Sequence, residues 1–466
     1  MHQPEFLLTR RASPGGAGVP DGVLLVCAGM KATVATAPLR TRAATVSLII
    51  LVVVNIVNFY DRHVGGALAE PLRKEFGLND TQLGWIGTAF TVLYAIIGLP
   101  LGWLADKSSR KKLLAGGVVV WGALTGLAAW ATTLPMLIFS RLGLGVGEAA
   151  CAPAATSWIG DLYPRERRAK PLALFMLGVP VGGALSFFFS GPIAQAFGWR
   201  RAMIAAAIPA LLLAPVILLL KEPERGAAEK TSSPAHGSIW EVLRVPTFRW
   251  IIASGALVNF NLYAIGTFLP AFLQRVHHLK VGRAGIATGV IYAVGGLLGG
   301  VLGGFWGDTI ARRPNGRMLI AAIGALVAAP LFYVGLYQGF GALLWVVPLL
   351  ALAYGALNMY YGLVYASIQD IVAPALRSTT MAIYFLVMYL GGASFGPYAI
   401  GKLSDRLARH AALASGSSTI TEAFKATGLQ QALFVIPVFS LGLALVLWAG
   451  SRTIARDIEQ QAVPRV

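Results

Sequence analysis

Four ionisable side chains sit inside stretches of sequence that are otherwise almost wholly apolar. Two are consecutive, Asp61 and Arg62, within Asn55-Ile56-Val57-Asn58-Phe59-Tyr60-Asp61-Arg62-His63. The other two open and close the glycine-spaced string Arg141-Leu142-Gly143-Leu144-Gly145-Val146-Gly147-Glu148. Seven positions on a helix make about two turns, so Arg141 and Glu148 share a face. Two acids and two bases sum to no net charge, as a buried network requires. Burial in low dielectric favours the protonated form of a carboxyl, and a neighbouring Arg favours the ionised form. The planar fork of Arg also binds carboxylate or phosphate bidentately. An anion that occupied the Arg would therefore hand a proton site back to the acid. That is a physical route from binding to proton coupling, and it assigns Asp61 and Glu148 to protons and Arg62 and Arg141 to an anionic group.

Such a cluster needs walls. The 466-residue chain is 56% hydrophobic and only 12% charged, with a mean hydropathy of +0.68. A soluble chain carries about a quarter charged residues, so a soluble enzyme, a nucleic-acid binder and a disordered scaffold are excluded. Only two cysteines occur, Cys27 and Cys151, too few for a disulfide framework. The basic excess, 38 Lys+Arg against 20 Asp+Glu, is first of all a topology signal in a chain this apolar.

A bilayer helix needs roughly 20 apolar residues. Runs of that length occupy 44–68, 83–105, 112–133, 135–159, 169–195 and 200–220, then 249–273, 284–307, 318–338, 341–368, 378–402 and 429–451. The sequence thus predicts an all-α integral membrane protein with twelve spans in two six-helix bundles, 44–220 and 249–451. Residues 221–248 form a polar linker, and 452–466 a C-terminal tail. In the first 43 residues the one apolar stretch, Val23 to Met30, is too short to span. Met30 with Lys31, Arg40 and Arg42 would make an ordinary cytoplasmic start, so 1–43 reads as a disordered tail. Most basic residues fall in segments on the side of the N-terminus, which puts both termini in the cytoplasm.

The halves repeat one another. Gly102-Trp103-Leu104-Ala105-Asp106 with Arg110 and Lys111 is matched by Gly304-Phe305-Trp306-Gly307-Asp308 with Arg312 and Arg313. Asp161, Pro164 and Arg167 are matched by Asp370, Pro374 and Arg377. The pairs Gly182-Gly183 and Gly191-Pro192 are matched by Gly391-Gly392 and Gly396-Pro397. Parallel repeats of this kind are expected of halves related by an axis along the membrane normal. Repetition at fixed spacing also makes Gly102, Asp106, Arg110, Asp308 and Arg312 candidates for a latch between the bundles at the cytoplasmic ends.

The doubled Gly–Asp–Arg loop in a six-plus-six chain resembles the signature of the major facilitator superfamily. Two positions depart from it, Ser109 and Ala311, where the family loop usually has Gly. Within that superfamily, Asn58-Phe59-Tyr60-Asp61-Arg62 together with the Arg141–Glu148 string resembles the Spinster-like branch of lysolipid and sphingosine-phosphate transporters. The resemblance implies alternating access and proton linkage, with Asp61 and Glu148 protonated and Arg62 and Arg141 meeting a headgroup. Similar strings occur in the anion:cation symporter branch, whose cargo is soluble sugar acids and other organic anions. The expectation is a proton-coupled secondary transporter for an anionic amphiphile in the plasma or bacterial inner membrane, acting as a monomer among membrane lipids.

Further candidates line the route. Asn58, Tyr60, Tyr263, Tyr361 and Tyr365 are candidates for the cavity wall, and His63 reads as a polar residue near the outer mouth. No Gly-x-x-x-x-Gly-Lys-Ser/Thr loop is present, which excludes a P-loop pump within this chain. No His/Cys cluster points to a metal site, and no cofactor, nucleic acid or enzymatic chemistry is expected.

Overall fold

The computed structural model describes residues 41–164, 167–225, 239–310, 313–372 and 376–462. Readings placed elsewhere, among them most of the N-terminal tail, Arg312, Pro374 and the middle of the linker, lie outside the described residues. The first half contains α1 (Thr41–Ala67), α2 (Ala69–Phe76), α3 (Asp80–Lys107), α4 (Arg110–Leu127) and α5 (Leu134–Ala149). It continues through α6 (Cys151–Leu162), α7 (Ala169–Met176), α8 (Gly178–Phe197) and α9 (Trp199–Leu219). After the short α10 (Ile239–Arg244), the second half holds α11 (Pro246–Arg275), α12 (Val281–Ile310), α13 (Gly316–Tyr337) and α14 (Leu343–Asp370). It ends with α15 (Arg377–Val387), α16 (Phe395–Ala414), α17 (Glu422–Leu433) and α18 (Val435–Ala462). Twelve helical segments among the described residues are long and apolar enough to cross a membrane, as the twelve runs predict.

Local chemistry sets the ends. Gly77, at φ +63°, stops α2 in the left-handed conformation that glycine adopts freely. Asn79 then starts α3 by a reciprocal capping box with Gln82, at 2.8 and 2.9 Å. Two features depart from the sequence pattern. Residues 69–76, between the first two apolar runs, form a helix that carries Glu70, Arg73, Lys74 and Glu75. The eleventh span runs on to Ala414, well past the apolar limit at 402, because its last turns are amphipathic and bury Ser404, Ala408 and Ala412 against neighbouring helices of the same chain, α17 among them.

The bundles meet along α8 with α12 and α3 with α16, with α1 against α11. Glycine makes these approaches possible. The Cβ of an alanine at Gly285 on α12 would lie 2.7 Å from the Phe187 carbonyl oxygen of α8, a separation only glycine tolerates. The contacts are densest at the end of the molecule opposite the linker, here called the far end. At the linker end the positions beside Gly98 and Gly102 of α3, and Gly300 and Gly304 of α12, are open space. The structure is closed at the far end and splayed at the linker end.

Candidate functional site

Arg62 is the centre of the site. Its Nε and Nη2 donate to Glu148 Oε2 at 3.1 and 3.0 Å, and the pair is almost fully buried. Nη2 also donates to Asn58 Oδ1, one turn back, at 3.4 Å. A helical side chain leans toward the N-terminus of its own helix. That lean carries the guanidinium down from the level of Asp61 toward Glu148. The rings of Phe59, Phe90 and Tyr94 surround the cation, with centroids at 4.5, 5.1 and 4.5 Å. From the other bundle, the hydroxyl oxygens of Tyr263 and Tyr389 accept from Nη1 at 3.4 and 3.3 Å. A single guanidinium thus touches both halves.

The four charges lie within electrostatic reach of one another but divide into two hydrogen-bonded arrangements, Arg62 on Glu148 and Arg141 against the Asp61 backbone. Adjacent residues on a helix are turned about 100° apart, and Asp61 faces away from Arg62 into its own bundle. Its carboxyl is fully buried with no hydrogen-bond partner for either oxygen. Thr125 lies beside it. Arg141 donates to the Asp61 carbonyl oxygen at 3.4 Å and touches the Met203 sulfur at 3.5 Å, packed over Gly65. All of these contacts lie within the first bundle. Glu148 itself stands in the last turn of α5, just before the point where it gives way to α6, and its Oε1 makes no hydrogen bond.

The second bundle contributes an aromatic wall without charge. The Tyr361 hydroxyl donates to Asn259 Oδ1 at 2.9 Å, and the Tyr365 ring packs on Tyr361 and Tyr384, with centroids 5.6 Å away in both cases. Tyr263, Tyr361, Tyr365 and Tyr389 stay partly exposed, whereas Tyr360 and Tyr384 are buried; the Tyr384 hydroxyl donates to that of Tyr360, which also bonds Ser254. Tyr389 sits in a π-helical segment, Met388–Ala393, a local widening often found at functional sites. On the first bundle, Tyr60 bonds Ser190 across to α8 at 3.0 Å. His63 is not at a mouth: Nδ1 is 2.8 Å from the Phe59 carbonyl oxygen, and the ring packs on Phe187 and Tyr292 in the seam.

At the linker end, Arg110 is engaged within its own half. It pairs with Asp161 and Glu222, and it donates to the Ser157 and Pro223 carbonyls at 3.2 and 2.8 Å. Among the described residues it bridges nothing across the seam. Gly102 faces open space. The side chains of Asp106 and Asp308, like the whole of Arg312, lie outside the described residues. In the second half, Arg317 pairs with Asp370, the repeat mate of Asp161.

The first residues of the linker are built into this knot. The Glu222 carboxylate accepts from Ser109 Oγ at 2.6 Å and from the backbone N–H groups of Arg110 and Lys111 at 2.9 and 3.3 Å. It thereby caps the N-terminus of α4. Partial burial alone would push the carboxyl up. The Ser109 hydroxyl and the Arg110 and Lys111 donors outweigh that and hold it below its ordinary 4.5. Glu222→Gln is expected to lower stability by about 1–2 kcal/mol, read as a lower melting temperature in detergent. A depressed carboxyl stabilises fully above its unfolded value and loses the effect as pH falls through the folded one. The gap between wild type and variant should therefore close as the pH falls below 4.5.

Sequence reasoning missed a second ionic centre, at the far end. Arg275 of α11 donates to both oxygens of Asp80 at 2.8 and 2.7 Å, and to Glu70 at 2.6 Å. Ser404 donates to Asp80 at 2.6 Å. Arg73 joins Glu70 at 3.1 Å to Glu422 of the other bundle at 2.6 Å. Asp405 accepts from the backbone N–H groups of Asp80 and Thr81 at 3.0 and 2.9 Å. Glu70, Arg73, Asp80 and Arg275 are all buried.

Two six-helix bundles that close on one another at one end, around a charged centre touched by both, are the architecture of a secondary transporter. The chain belongs to the Major Facilitator Superfamily, whose sequence profile matches residues 50–397. It is 30% identical over 426 residues to an MFS-type efflux pump of Mycolicibacterium smegmatis, covering 90% of this chain and 96% of that protein. It is 26% identical over 395 residues to human Protein spinster homolog 1, covering 78% and 73%. Among solved structures it resembles a bacterial homologue of the human lysosomal transporter Spinster in an inward-facing, unoccupied conformation. There the TM-score is 0.80 and the identity 26%, over 90% of this chain and 99% of that one. It is thus a Spinster-like, multi-pass integral protein of the bacterial plasma membrane.

Proposed function

We propose that the chain is a proton-coupled secondary transporter that moves an anionic amphiphile, a lysophospholipid or a sphingosine-phosphate-like lipid, by alternating access. The observation that carries this reading is the position of Arg62, bound to an acid of one bundle and to two hydroxyls of the other. An incoming anion competes with Glu148 for that guanidinium. Tyr263 and Tyr389 accept from Arg62 and keep their own O–H groups to donate to the anion. The displaced Glu148 takes up a proton in its dry surroundings. Asp61 is the second proton site, with Arg141 as its neighbour within the bundle; Arg62 takes over the headgroup role expected of both arginines. Asn58 and Tyr60 flank the headgroup, and the tail lies along Tyr361 and Tyr365.

With 44–220 and 249–451 as the rocking bodies and both termini cytoplasmic, the closed far end faces outward. The site then opens toward the cytoplasm. The latch residues Gly102, Asp106, Arg110, Asp308 and Arg312 would engage when the linker ends come together. One chain supplies every residue of the site, so a monomer suffices.

The test is uptake into proteoliposomes of a lysophospholipid against a sugar acid. Saturable lysolipid transport, driven by an inward proton gradient and made unresponsive to it by Glu148→Gln or Asp61→Asn, is expected. Sugar-acid uptake that lysolipid does not compete with would overturn the lipid assignment in favour of an anion:cation symporter. Transport by both variants that still follows the pH gradient would overturn the proton assignment.

A further inference from the structure

A groove of about 520 Å³ runs down the outside of the second bundle between α12, α13 and α14, remote from Arg62. Its walls are Leu298 and Trp306 of α12, Ile323 and Val327 of α13, and Leu352 of α14, with Gly324 in the lining between them. Every lining residue is apolar, and these five side chains are well exposed. We propose that this groove holds one acyl chain of an acidic phospholipid from the leaflet on the linker side, with its headgroup on Arg313.

Three observations commit the groove to that occupant. The first is depth. Trp306 and Ile320 lie about one turn, roughly 6 Å, inside the ends of α12 and α13, while Leu298 and Leu331 lie roughly 18–22 Å in. Half of a hydrocarbon core is about 15 Å, so the groove runs from the interface to the bilayer middle, the reach of one chain of one leaflet. The second is the anchor: Trp306, the aromatic residue at the shallow end, stands where an amphipathic ring marks the interface. The third is charge. Arg313, exposed in the α12–α13 turn, lies midway along the chain between Trp306 and Ile320 at the groove mouth, while Arg317 is paired with Asp370. A basic residue at that level attracts an anionic headgroup over a neutral one. The groove is off the transport path, so the inference stands whether the cargo is a lipid or a soluble acid.

The test is native mass spectrometry of the full-length protein, titrated with phosphatidylglycerol and with phosphatidylcholine of identical acyl chains. The first phosphatidylglycerol should be retained about fivefold more tightly than phosphatidylcholine, the preference one basic residue supplies. Arg313→Gln should erase the preference and leave phosphatidylcholine retention unchanged. Ile323→Trp with Val327→Trp fills the groove and should remove the first bound lipid of either kind. Leu326→Trp, equally exposed on α13 but outside the groove, should behave as wild type. Equal retention of the two lipids by wild type, or unchanged retention by the filled variant, would overturn the proposal. So would loss of cargo binding in the filled variant, which would make the groove part of the transport route.

Discussion

Replacing Arg275 with alanine is expected to swing the carrier from closed to open at its far end. The guanidinium holds Asp80 and Glu70 across the seam, and all three groups are buried. Removing one member of a buried ionic set leaves unpaired charge in low dielectric, a cost of about 3–5 kcal/mol. That cost is specific to one conformation. Once the far ends separate, water reaches Asp80 and Glu70 and the penalty disappears. The equilibrium should therefore move roughly 10²- to 10⁴-fold toward the open far end. A single cysteine at Thr88 reads it, in a background without Cys27 and Cys151. The Thr88 hydroxyl is buried in the seam, donating to the Ser394 carbonyl at 2.5 Å. The Thr88→Cys thiol should resist a membrane-impermeant maleimide alone and react when Arg275→Ala is added. Asp80→Asn should act in the same direction by a smaller amount. Protection that survives both changes would mean that glycine packing alone keeps the end shut.

Arg62 carries the second large effect. Arg62→Ala removes the one group that links Glu148 to Tyr263 and Tyr389, and strands a buried carboxylate among apolar residues. Truncating one partner of a buried charged pair typically costs about 2–5 kcal/mol. Uptake at subsaturating substrate should fall about 100-fold or more. Arg62→Lys should recover little of it, because an ammonium cannot donate along the two edges that meet Glu148 and the tyrosines together. Uptake within about threefold of wild type in either variant would remove Arg62 from the headgroup role.

The fold was legible because a bilayer imposes a long, one-dimensional signal: twelve apolar runs, read twice over through the repeated loops. The embedded charges were legible for the same reason, since Asp61, Arg62, Arg141 and Glu148 have no apolar excuse. Their pairing was not. Level along the helix suggested one cluster; the turn between Asp61 and Arg62 gives its members different hydrogen-bond partners. The part played by Tyr389 depends on a π-helical segment that leaves no mark in composition. The far-end network was hidden further still. Glu70, Arg73 and Asp80 lie between the first two apolar runs, and Arg275 and Glu422 outside the seventh and twelfth, where charge draws no notice. Only tertiary packing brings five residues so distant in sequence to one point.

The uncharged aromatic wall of the second bundle has an electrical consequence. Among the described residues, the charged side chains in the middle of the spans, Asp61, Arg62, Arg141 and Glu148, all belong to the first bundle, and with both acids ionised they cancel. Reorienting the empty carrier then carries almost no charge through the membrane field, which acts at about 2.3 kcal/mol per elementary charge for each 100 mV. On the proposed mechanism, any dependence of the full cycle on membrane potential would come from cargo and protons in transit, so a transport current would report their net charge.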